Sequence, residues 1–181
     1  MKRDMGLRPG CNARKSPAIR TYLSNFRECY PGILDWFSGL EQGIASGGRR
    51  VFVSWRGREI QGLAVAKLGV RAKLCHISVV NSARAGGVGT ALACLALRDM
   101  VRHGAREIRV TTGERVFREH GTFFRSLGFE VVDWQVHRYR RGAAELLWRQ
   151  DVDPAWSGAQ TQRHLNAARM HQTYSSIGEN R

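Results

Sequence analysis

The run Arg84-Ala85-Gly86-Gly87-Val88-Gly89-Thr90 constrains this chain more than any other feature. Residues 72–80 before it form an apolar stretch of strand character. After it, Val88, Ala91, Leu92, Ala93, Cys94, Leu95, Ala96 and Leu97 give a helix over about 87–103 that is apolar or small almost all round, the mark of a helix buried on most sides. Glycines at such a strand-to-helix turn let the backbone take left-handed dihedrals and approach a ligand closely. The free N–H groups of the first helical turn then point outward, and with the helix dipole they make an anion site suited to a pyrophosphate. Arg84 can add a charge-assisted bond.

Several ligands fit that physics, and so does a tight turn with no ligand. The loop is not a Walker A loop, because no Gly-Lys-Ser/Thr follows. Nor is it a dinucleotide fingerprint: the order is Arg-x-x-Gly-x-Gly, and no acidic residue closes a second strand at the distance a ribose needs.

The surrounding pattern supplies the fold class. Ser16-Pro17 starts a helix running to about Cys29, with Ser as cap and Pro in the first turn. Tyr30-Pro31-Gly32 breaks it. Ile33, Leu34, Trp36, Phe37, Leu40 and Ile44 then give the apolar face of a second helix, ended by Gly47-Gly48. Strands follow at 50–55, 59–68 and 72–80, an antiparallel meander in which Gly62, Ala64 and Ala66 line one face with very small side chains. His76 falls by alternation on the face opposite Lys73, Cys75, Ile77 and Val79, and reads as a packed histidine with a hydrogen-bond partner. Beyond the glycine loop and its helix, Gly104 precedes a short strand at 107–111, and strand–helix–strand in this order makes a right-handed parallel unit. A helix at 115–127, a strand at 129–139, a turn at Arg140-Arg141-Gly142 and a last strand at 143–148 complete the domain. The expected architecture is α/β (α+β): a mixed, mostly antiparallel sheet of about six to seven strands with a parallel pair, flanked by about four helices. The expected domain spans 17–150, between a flexible basic arm (1–16) and a poorly ordered tail (151–181) with a short helix near 161–170.

Arg84-x-x-Gly87-x-Gly89 after a strand, the buried helix, the short strand, and then Phe123-Phe124-Arg125-Ser126-Leu127-Gly128-Phe129 closely resemble the GCN5-related N-acetyltransferase (GNAT) superfamily over roughly residues 20–149. The resemblance implies the acyl-CoA N-acyltransferase fold with a splayed parallel strand pair. It implies acetyl-CoA as co-substrate, its pyrophosphate held by Arg84, Ala85, Gly86, Gly87, Val88, Gly89 and Thr90, and its pantetheine arm paired with the backbone of Ile77, Ser78 and Val79. The acetyl thioester would sit in the gap between the splayed strands, ready for attack by an amine. Where many members carry a tyrosine that protonates the departing thiolate, this chain has Phe124, and its pre-loop strand offers no carboxylate base.

The catalytic candidates are therefore Cys75, Glu119, His120 and Tyr139, and each has a plainer reading. Cys75 also reads as a small core residue, since a thiolate needs a cationic neighbour and Lys73 is the local one. Glu119 and His120 either point into the cleft or solvate a helix face. Tyr139 is either an acid near the thioester or a half-buried strand aromatic.

The net charge of +14, from 29 Lys+Arg against 15 Asp+Glu, fits simple solubility or an anionic partner such as CoA, RNA or an acidic protein face. The acceptor stays open among a small molecule, a protein and an aminoacyl-tRNA, the last as in acetylating toxins of this superfamily. A degenerate CoA-binding or interaction module is the alternative to an enzyme, and a homodimer is compatible with either. The four cysteines, Cys11, Cys29, Cys75 and Cys94, have no zinc-like spacing and fit a reducing cytoplasm. No apolar run approaches the roughly 20 residues of a membrane span.

Overall fold

A computed structural model describes residues 7–9, 16–28, 30–136 and 144–152. One seven-stranded sheet organises them, in the order β1-β2-β3-β4-β5-β7-β6. The strands are β1 (Leu7–Pro9), β2 (Arg49–Arg56), β3 (Glu59–Lys67), β4 (Arg71–Val79), β5 (Glu107–Gly113), β6 (Glu130–Val136) and β7 (Ala144–Asp151). Every neighbouring pair is antiparallel except β4 with β5. This is the mixed sheet expected from the sequence. Two expectations shift at the domain edges. Leu7–Pro9, assigned to the flexible arm, pairs with β2, and β7 extends to Asp151, beyond which the Val152 N–H still bonds the Arg106 carbonyl. The expected turn at 140–142 and the helix near 161–170 lie outside the described residues.

Alternation along β2 and β3 divides the core in two. Val51, Val53, Leu63 and Val65 pack against Ile19, Tyr22 and Leu23 of α1 (Ser16–Ser24) and Ile33 and Phe37 of α2 (Ile33–Ser38). Phe52, Ala64 and Ala66 face α4 (Val88–Arg102), joined by Phe124 of α5 (Glu114–Ser126) and by Phe129 and Trp148. The small face of β3 explains how closely α4 approaches. A Cβ built on Gly62 would stand 2.8 Å from Leu92 Cδ1 and 3.0 Å from Val88 Cγ1. The first turn of α4 therefore rests directly on the sheet, beside the end of β4. Deep in this layer, burial pushes the Cys94 thiol up to about 11, so it stays protonated near pH 7 and acts as a small apolar group.

The first helices are shorter than the sequence suggests. α1 ends at Ser24, whose hydroxyl turns back to the Thr21 carbonyl, and residues 25–28 continue as turns. The second expected helix splits into α2 and α3 (Glu41–Ala45), because the Leu40 N–H bonds the Phe37 carbonyl, three residues back, and so tightens the chain between them. None of the described helices is long and apolar enough to cross a membrane.

Candidate active site

β4 and β5 run side by side only at Arg71↔Glu107, Ala72↔Ile108 and Lys73↔Arg109. Beyond that point β4 stays with β3 as far as Val79↔Gly62, and β5 stays with β7 as far as Gly113↔Glu145. The two parallel strands thus diverge, and the C-terminal half of β4 has backbone groups with no partner strand on the β5 side. A cavity of about 750 Å³ occupies this region.

The parting coincides with a bulge in β4. Val65 pairs with His76 and Ala66 with Leu74, which leaves Cys75 as the extra residue. One extra residue reverses the side-chain parity of everything after it. Ala72 and Leu74 belong to the α4 layer before the bulge, and Ile77 and Val79 pack on the same layer after it. The strict alternation expected from the sequence fails here: Cys75 and Ile77 do not share a face. Cys75 packs towards α1 and α2, where its Sγ accepts from Arg49 Nη1 at 3.4 Å. It is absent from the cavity wall, and the cation beside it is Arg49 rather than Lys73.

His76 also lies on the α1–α2 side, and it lines the cavity. Its ring centroid is 6.4 Å from that of Phe26, 6.5 Å from Tyr30 and 5.7 Å from Trp36. The expected hydrogen-bond partner is Ser78: His76 Nε2 is 2.8 Å from Ser78 Oγ, which is 3.1 Å from Tyr22 Oη. Burial holds the imidazole down at about 4, so it is neutral near pH 7 and keeps one unprotonated ring nitrogen. Burial likewise pushes the Tyr22 phenol up to about 12, against the opposing pull of Ser78 and the Arg84 charge.

The other end of the cavity is built from backbone. After a 3₁₀ turn at Asn81–Ala83, Arg84 is extended, while Ala85 (φ 58°) and Gly87 (φ 78°) are left-handed. Left-handed residues of this kind cost an ordinary side chain energy, and at Gly87 they do not. Gly87 caps α4, no side chain bonds the helix start, and no acidic residue occupies the first turn. The N–H groups at this end therefore keep their attraction for an outside anion. Arg84, Ala85, Gly87, Gly89 and Thr90 line the cavity. Gly86 and Val88 do not, and Val88 is instead buried between α4 and the sheet. Arg84 Nε donates to the Val79 carbonyl at 3.3 Å, which holds the guanidinium beside the end of β4.

α5 forms the remaining wall with Arg115, Val116, Glu119, His120, Phe123 and Phe124. Of the catalytic candidates, Glu119 and His120 do face the cavity, side by side at 3.7 Å, with Arg115 4.0 Å from Glu119. Both remain about half exposed. Phe124 is buried, and its ring packs on Phe129 and Trp148. Tyr139 lies outside the described residues. Sequence reasoning missed Phe26, Tyr30 and Arg115 as wall residues, and it set His76 on the wrong side.

No protein-family model matches this sequence, and no curated protein matches it. Solved structures do. A Desulfovibrio desulfuricans protein assigned as an acetyltransferase of the GNAT family superimposes with a TM-score of 0.71 at 17% identity, covering 83% of this chain and 100% of its own. A ribosomal-protein-alanine N-acetyltransferase from Brucella melitensis gives 0.66 at 18%, covering 81% and 99%. An aminoglycoside 6'-N-acetyltransferase solved with coenzyme A gives 0.64 at 15%, covering 83% and 99%. The chain has the acyl-CoA N-acyltransferase fold of the GNAT superfamily.

Proposed function

We propose that the chain is an N-acetyltransferase that uses acetyl-CoA as co-substrate. The observation that carries this is the uncapped start of α4, facing with Arg84 into a cavity that continues along the open half of β4. A pyrophosphate would bind the N–H groups of residues 85–90, and the backbone of Ile77, Ser78 and Val79, which has no partner strand on the β5 side, would pair with the pantetheine amides. The thioester then reaches the opening beside His76 and Phe124. Coenzyme A in a structural neighbour supports the same occupant.

In the reaction, the lone pair of a neutral amine attacks the thioester carbonyl. The C–N bond forms, the C–S bond breaks, the nitrogen loses a proton and the departing thiolate gains one. Holding both reactants in the opening supplies much of the rate. An unpartnered N–H of β4 can stabilise the oxyanion. His76 is the neutral base nearest the opening, and Glu119 and His120 stand on the opposite wall. A base of this kind contributes about 10²–10⁴-fold. The second reading is a module that holds CoA without turnover, and it draws on one observation: Phe124 occupies the acid's position and has no proton to give.

Titration calorimetry with acetyl-CoA on the wild type and on Gly89→Trp tests the site. A Cβ on Gly89 would stand 3.6 Å from Val79 and 3.7 Å from Phe123, so an indole there would obstruct the α4 end of the cavity. Micromolar binding that is lost in the variant is expected, and a folded wild type with no affinity would sink the proposal. Turnover with amine or aminoacyl-tRNA acceptors then separates the enzyme from the holding module.

A further inference from the structure

We infer that the acceptor is an amine with a single basic nitrogen carried on an aromatic frame, recognised by Phe26, Tyr30 and His76. The inference rests on the acetyltransferase reading and narrows it.

At the α1–α2 end the cavity wall consists of rings. Phe26 and Tyr30 both stand nearly edge-on to His76, at interplanar angles of 78°. Tyr30 is 42% exposed, a large aromatic left at the rim. Ring walls in this arrangement accept a further ring in edge-to-face or offset contact. Trp36, outside the lining, packs on His76 with its ring tilted at 46°.

Charge argues in the same direction. A polycationic acceptor needs carboxylates to replace its lost hydration. Glu28 and Asp35, the carboxylates nearest in sequence to this wall, are exposed and lie off the cavity. Among the described lining residues the one carboxylate is Glu119, on α5, already flanked by Arg115 and His120. Arg115 adds positive charge to the α5 wall. A ring wall without a carboxylate also gives a guest ammonium nothing to replace its lost hydration. The site therefore favours an amine that sheds its one proton on entering, which is the form that attacks a thioester.

The test measures amine binding directly, by calorimetry on the full chain, both free and saturated with CoA. 2-Phenylethylamine, spermidine and tetramethylammonium serve as ring-bearing, polycationic and ringless cationic probes. We expect 2-phenylethylamine to bind at least tenfold more tightly than either other probe. Tyr30→Ala should weaken it about tenfold, while the affinity for acetyl-CoA stays within twofold. Equal or tighter binding of spermidine or tetramethylammonium would overturn the inference, as would a Tyr30→Ala variant that binds 2-phenylethylamine normally. Absence of CoA binding would count against the acetyltransferase reading alone, because the free-chain titrations still decide what the ring wall recognises.

Discussion

The two ends of the cavity are made of different materials. At the α4 end the groups that face a ligand are backbone N–H groups, and side chains matter there mostly by being absent. At the α1–α2 end the wall is rings: Phe26, Tyr30 and His76. A backbone site tolerates loss of side chains and is damaged by their addition. A ring site behaves the opposite way. The difference also sets what each end can discriminate. Oriented N–H groups recognise a phosphate whatever it is attached to, whereas rings read the shape of what they touch.

The comparison can be broken most forcefully at Gly62. A valine there would drive its Cβ into Leu92, Val88 and the Ser78 carbonyl, the last at 3.2 Å. Overpacking of this kind should cost about 3 kcal/mol. Thermal denaturation should show the loss, together with weaker acetyl-CoA binding as α4 is lifted. An unchanged melting temperature would mean that α4 is not seated on β3. Next in size is Gly87→Val, which forces a β-branched residue into a left-handed conformation at about 1–3 kcal/mol. Its acetyl-CoA affinity should fall more than tenfold by calorimetry, and retention of affinity would remove the backbone cradle from the account.

The ring end should answer to pH instead. The imidazole of His76 sits at about 4 in the folded chain, below its ordinary value near 6.5. Its folded form takes up a proton less readily than its unfolded form. Its contribution is therefore complete above about pH 6.5 and is lost as the pH falls towards 4. His76→Gln should flatten the stability–pH curve in that window, as read by urea unfolding at several pH values. A curve of unchanged slope would contradict the half-buried, neutral imidazole. The smallest effect belongs to Tyr30→Ala: with its ring at the rim, stability should stay within about 0.5 kcal/mol of wild type.

How much could be read from the sequence follows the same division. The α4 end was legible because its requirements are written as residue types: glycine where φ is positive, and small apolar residues where a helix lies flat on a sheet. Gly62, Ala64 and Ala66 announced that close approach, and the structure uses all three against α4. The ring end was not legible, for two physical reasons. The bulge at Cys75 arises from the register of β4 on β3, and no local residue signals it. It reverses the faces of Cys75 and Ile77 relative to each other, which carried His76 into the cavity. Phe26 and Tyr30 stand in the turns beyond the end of α1 at Ser24, where no helical periodicity marks which way a side chain faces. α5 was intermediate: its helical spacing brought Glu119 and His120 to the wall, but whether they do more than solvate it is a question of chemistry and not of pattern.

The central claim is that backbone N–H groups at the start of α4 hold the phosphates of acetyl-CoA. A ¹⁵N-labelled chain titrated with acetyl-CoA and followed by amide NMR tests it most directly. The account predicts that the largest shifts fall on residues 85–90, with Ile77, Ser78 and Val79 following as the pantetheine arm pairs with β4. Saturable binding whose largest shifts lie elsewhere, with residues 85–90 unmoved, would contradict it.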